Sequence, residues 1–181
     1  MSEKGKLIVI SGPSGAGIGD VVKALFARRS DLVPVVPVTA RKMKEGEKDG
    51  VGFFFFDLEG WEAMKASGDL LETTEFAGND YGTSRKLVLE QFARGNSVLM
   101  ERDPERAAQI KRNMPEAICV YLEPSPEVLA GRLRAVSRSE REFALRLETA
   151  ERLRERSGFC DRHICSDDAD AAAREIERLL D

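Results

Sequence analysis

Apolar and polar positions alternate along the chain in blocks of two kinds. Leu7-Ile8-Val9-Ile10 is an unbroken apolar run closed by Ser11-Gly12-Pro13, the pattern of a parallel strand buried on both faces. From Ile18 to Arg29, Val21, Val22, Leu25 and Phe26 recur at helical spacing. Ser97–Met100 and Ala117–Leu122 are further apolar runs of strand length, and helical stretches surround them at 85–93, 104–112 and 126–135. Pro104 and Pro126 open two of these stretches, where a first-turn proline costs no hydrogen bond. Strands alternating with helices predict an α/β fold, with a parallel sheet core and helices on both faces.

The middle of the chain has a different texture. Val33–Val38, Phe53–Phe56 and Leu70–Phe76 read as short strands, with Gly46, Gly50, Gly78 and Gly82 assigned to turns. They predict a small mixed-sheet lobe at 35–83, inserted into a core made of 1–34, 84–131 and 147–181. Residues 132–146 are dense in arginine and glutamate and predict a mobile helical lid. An amphipathic helix over 144–156 and a docking helix over 170–180 complete the expectation of a single domain.

Composition narrows the picture. The 181 residues, 42% apolar and 33% charged, are enough to bury a core without disulfides or metal. A net charge of −4 gives no overall attraction to nucleic acid or to an anionic membrane, so any anion site must be local. The three cysteines, Cys119, Cys160 and Cys165, follow no secreted framework and point to a reducing, cytoplasmic setting. Cys160, His163 and Cys165 lack a fourth ligand and lie in a strand-like segment, so no metal site is expected there. No signal peptide or long apolar span is read at the start.

The chemistry concentrates after the first strand. Gly12-Pro13-Ser14-Gly15-Ala16-Gly17-Ile18-Gly19 follows a strand and opens a helix. Its glycines let backbone N–H groups converge on a phosphate at a helix N-terminus. The full phosphate-loop pattern is Gly-x-x-x-x-Gly-Lys-[Ser/Thr]; here Ile18 replaces the lysine and Gly19 the magnesium-binding hydroxyl. The missing lysine would meet charge on the transferring phosphate, and one such preorganised group contributes roughly 3–4 kcal/mol to the transition state.

Further along stand Thr39-Ala40-Arg41-Lys42-Met43-Lys44-Glu45-Gly46-Glu47-Lys48-Asp49-Gly50-Val51-Gly52-Phe53-Phe54-Phe55, then Leu71-Glu72, then Gly78-Asn79-Asp80-Tyr81-Gly82-Thr83, then Glu101-Arg102-Asp103. In this order the chain resembles guanylate kinase nearly end to end. The resemblance implies a P-loop nucleoside-monophosphate kinase fold, ATP and Mg²⁺ as cofactors, and transfer of a phosphoryl group to GMP. It implies that Arg41 and Tyr81 grip the GMP phosphate, and that Glu72, with Thr83, pairs with the guanine donors. It implies that Glu101 and Asp103 approach magnesium or the base, and that Arg132, Arg146 and, less directly, Arg138 act from the lid.

The departures fall on the same positions. Lys44 stands for a second phosphate-binding arginine and loses its fork, and Phe53 stands for a tyrosine and loses its hydroxyl. Pro37 sits at the expected hinge in place of serine, Asp80 puts a carboxylate beside Tyr81, and Ser166 replaces asparagine. The lid, Ala135-Val136-Ser137-Arg138, reads one residue short. Three functions stay open: weak or lost GMP kinase activity, a non-catalytic module that binds a nucleotide or a protein partner, and a kinase for another phosphorylated small molecule. The clustered changes favour weak or absent catalysis.

Overall fold

A computed structural model describes residues 5–181. Leu7–Ser11 (β1) is central in a five-stranded, all-parallel sheet. One side carries Ser97–Glu101 (β7) and then Leu32–Pro34 (β2); the other carries Ile118–Leu122 (β8) and then Arg162–Ile164 (β9). The unbroken apolar run of β1 follows from its position. Ile8 and Ile10 face helices Ile18–Arg28 (α1) and Ala169–Leu180 (α7), while Leu7 and Val9 face the layer containing Arg85–Ala93 (α3) and Pro104–Asn113 (α4). With both faces covered, every side chain of the strand must be apolar or small.

A second, four-stranded mixed sheet is built from Val38–Thr39 (β3), Phe54–Phe55 (β4), Leu70–Phe76 (β5) and Asn79–Ser84 (β6). β3 runs parallel to β4 and antiparallel to β6, which pairs with β5 in a hairpin. The hairpin closes through Ala77 and Gly78, both at positive φ. Helix Leu58–Ser67 (α2) lies against this sheet and buries Trp61 on Val38 and Leu70. Helices Pro126–Val136 (α5) and Glu140–Glu155 (α6) meet at 137–139.

Several boundaries differ from the sequence reading. Val33–Val38 is not one strand: β2 joins the parallel sheet and β3 the mixed one. Pro34 and Pro37 have no N–H for a ladder, and the chain crosses between sheets from one to the other. Gly82 is not in a turn; it lies inside β6, where a Cβ would stand 2.7 Å from the Glu72 carbonyl oxygen. Only a residue without a side chain allows the two strands and Trp61 to pack this closely. α2 was absent from the sequence reading, because Trp61 and Met64 are the sole apolar side chains it turns to the sheet. α6 starts at Glu140, four residues before the expected position, since Ser139 caps the Glu142 N–H.

Candidate active site

The loop after β1 closes on itself through the Ala16 N–H to the Pro13 carbonyl, 3.0 Å. Gly15 and Gly17 both take left-handed φ, 85° and 77°, and Gly17 is the N-cap of α1 without any side-chain cap. This leaves backbone N–H groups of the first turn facing outward, the geometry of an anion nest. Ser11 Oγ and Ser166 Oγ are buried without a partner among the described residues.

Ile18 brings no cation to this nest. It is half-buried and packs on the apolar cluster beneath α1, with its Cδ1 close to Gly12. The guanidinium of Arg132, on α5, lies beside Gly17 but is tied to three carbonyls, those of Gly15 (3.1 Å), Ser166 (3.1 Å) and Asp167 (3.2 Å). Arg146, on α6, pairs with Glu142 at 2.8 Å and reaches Ser14 Oγ at 3.4 Å. Arg138 contributes its backbone N–H to Glu142 and carries an exposed side chain. The nest therefore fits a phosphate group. Ile18 and Gly19 do not fit magnesium and a terminal phosphate, because neither brings a cation or a hydroxyl.

A second site opens between the mixed sheet and the start of α4, as a cleft of about 370 Å³ lined by Glu72, Phe53, Tyr81, Arg102, Asp103 and Phe76 among others. Next to the Phe53 and Tyr81 side of the cleft, though not in its lining, Arg41 lies over the rings of Phe53 (5.2 Å) and Phe55 (5.0 Å). Its two terminal nitrogens fork onto Glu47 at 2.7 and 2.6 Å. That pair, with the Lys44 backbone N–H, pushes the Glu47 carboxyl down to about 2. Lys44 itself is exposed, and Tyr81 stacks near Phe53 at 5.7 Å. Arg41, Phe53 and Tyr81 are thus brought together, with the Arg41 fork occupied by Glu47.

At the other end Glu72 is only 2% exposed. Its Oε1 accepts from Thr83 Oγ1 at 2.8 Å and from Arg102 Nε at 3.0 Å, while its Oε2 has no partner. Asp103 lines the same cleft and caps α4. Burial works against its charge, but the Arg106 amide (3.0 Å) and guanidinium (2.6 Å) hold it below the usual carboxylate range. Glu101 is exposed at the end of β7 and is not part of the cleft lining. Sequence reasoning missed Arg102 and Glu47 as site residues. The signal for Arg102 was a long cation directly after a buried strand and between two carboxylates; for Glu47 it was an acid six residues beyond Arg41.

A parallel β-sheet with a glycine nest at the end of its central strand, a mixed-sheet lobe and an arginine-bearing helix pair defines the P-loop nucleoside-monophosphate kinase fold. The family model for Guanylate kinase matches residues 4–181. The chain is 39% identical over 178 residues to the guanylate kinase of Trichormus variabilis, covering 97% of this chain and 89% of that one. It is 45% identical over 147 residues to that of Thermobifida fusca, covering 80% and 75%. The crystal structure of guanylate kinase from Anaplasma phagocytophilum superposes with a TM-score of 0.65 at 26% identity, covering 99% of this chain and 86% of that one. The chain belongs to the guanylate kinase family, whose reaction is the phosphorylation of GMP and which generally uses ATP and Mg²⁺.

Proposed function

We propose that the protein binds GMP, or a closely related phosphorylated small molecule, in the cleft between Arg41 and Glu72, and transfers phosphate to it weakly or not at all. The observation that carries this reading is the fate of residue 18. Its side chain packs onto the core and brings no cation to the loop, and Arg132 beside the loop has three of its five N–H groups on carbonyls. Phosphoryl transfer relies on positioning and on charge stabilisation, since no covalent chemistry falls to the protein. The cleft supplies positioning; the loop lacks the cation that a lysine at position 18 would bring.

In this reading Arg41 and Tyr81 hold the phosphate, and Glu72 and Asp103 face the base. Gly12, Ser14, Gly15, Ala16 and Gly17 hold a further phosphate through the backbone, with Arg132 and Arg146 above it. Three free thiols accord with a cytoplasmic setting. A second reading, a module that docks a phosphorylated protein segment, is favoured by Phe76, which is 72% exposed at the rim of the cleft. Calorimetry with GMP and with ATP–magnesium, paired with an assay of ADP release, separates these readings. GMP binding with little ADP release supports the proposal. Absence of binding by GMP and by other nucleoside monophosphates overturns it in favour of the docking module, and brisk ADP release overturns its catalytic half.

A further inference from the structure

The base end of the cleft contains a cation inside its recognition network. Arg102 is 12% exposed at its side chain and donates from all three nitrogens: Nε to Glu72 Oε1 at 3.0 Å, Nη2 to Thr83 Oγ1 at 3.0 Å, and Nη1 to the Glu101 carbonyl at 2.7 Å. Thr83 spends its one O–H on Glu72 Oε1. Three consequences follow by counting donors and acceptors. Glu72 Oε1, with two bonds already, is saturated. Glu72 Oε2, buried and bare, offers one acceptor atom to a ligand. Arg102 uses three of its five N–H groups, so two remain for a ligand acceptor.

A purine edge can be read against this arrangement. Guanine presents a carbonyl at C6, an N–H at N1 and an amino group at C2. Reading both donors of guanine linearly takes two carboxylate oxygens, one opposite each. Here one Glu72 oxygen is free, both Asp103 oxygens already accept from Arg106, and Arg102 keeps N–H donors that can receive a carbonyl. We propose that Arg102 sets the base specificity of this cleft. The site reads the C6 carbonyl and N1–H edge that guanine shares with hypoxanthine and leaves the 2-amino group of guanine unread. Adenine, with an acceptor at N1 and a donor at C6, presents the reverse pattern and is rejected. This inference rests on the reading of the cleft as a nucleoside-monophosphate site.

The test is calorimetry of the full chain with GMP, IMP and AMP, repeated on Arg102→Lys, which keeps the charge and loses the fork. A hydrogen bond to a charged group is worth on the order of tenfold or more in affinity, and losing only an unread amino group costs less than about fivefold. IMP is therefore expected within about fivefold of GMP in the unmodified protein, with AMP weaker by roughly tenfold or more. In Arg102→Lys, Oε1 is released and the preference for GMP over IMP widens to about tenfold or more. A preference for GMP beyond about fiftyfold in the unmodified protein, or AMP binding as tightly as GMP, overturns the proposal. So does an unchanged GMP-to-IMP ratio in the variant. If Arg102→Lys does not fold, the ratio in the unmodified protein decides alone. If none of the three nucleotides binds, the reading of the cleft has failed and the specificity proposal falls with it.

Discussion

Restoring the missing groups of the phosphate loop is the most direct perturbation, as Ile18→Lys combined with Gly19→Ser. A Cβ at Gly19 meets nothing within 4 Å, so serine fits without rearrangement. At position 18 the lysine stem can follow the path of the half-buried isoleucine while its amine turns to the loop. Losing part of the isoleucine burial costs about 1 kcal/mol. A cation in the first turn of α1 works against the helix dipole by about 0.3–1 kcal/mol. The sum, about 1–2 kcal/mol, is small beside the roughly 5–15 kcal/mol of an ordinary domain, so the variant folds with a melting temperature lower by a few degrees. Against this stands a gain of roughly 3–4 kcal/mol at the transition state, or about 100- to 1000-fold in turnover. A coupled assay of ADP release with GMP as acceptor measures both proteins under the same conditions. Turnover by the unmodified protein in the ordinary kinase range of roughly 1–100 s⁻¹ refutes the reasoning. No increase in a folded variant that binds GMP and ATP refutes the assignment of the dominant defect to residue 18.

Three other outcomes are expected. Glu47 titrates at about 2 in the fold against an ordinary 4.5, a depressed value. Its ion pair with Arg41 therefore stabilises the protein fully above about pH 4.5 and is lost as pH falls through about 2; in urea unfolding the difference between Glu47→Gln and the unmodified protein should be largest at pH 6, shrink below about pH 4.5 and vanish only below about pH 2. Trp61 is 1% exposed and its Nε1 has no partner among the described residues, so Trp61→Ala should cost about 3–5 kcal/mol in urea unfolding and Trp61→Phe less than about 1.5 kcal/mol. Burial raises the Cys119 thiol to about 11 and that of Cys160 to about 12, whereas Cys165 is exposed; a thiol reagent at pH 8 should therefore find one fast site in the native protein and three in denaturant.

Much of the architecture was legible in the chain because its physical determinants are local. β5 and α3 begin and end where the sequence reading placed them, at Leu70–Phe76 and Arg85–Ala93, since a threonine- and aromatic-bearing stretch after Gly68 and a Ser84 cap are nearest-neighbour signals. The phosphate loop was legible for the same reason: strand, glycines and helix follow one another without a gap. α2 and the split of Val33–Val38 were not, because each depends on a surface supplied by distant residues. Trp61 makes a helix amphipathic only once Val38 and Leu70 are under it, and Pro34 and Pro37 divide a strand only once there are two sheets to divide between.

Residue types settled which chemistry this chain carries: a nest without a cation at Ile18, a fork at Arg41, a carboxylate at Glu72. Only the folded chain decided which of those groups are free to act. Arg41 meets Glu47, Arg132 meets three carbonyls, and Arg102 crosses from the end of β7 to Glu72 on β5, thirty positions earlier. Hydrogen-bond capacity is spent on whatever partners the packing brings within about 3 Å, and the order of residues along a chain does not state who those partners are.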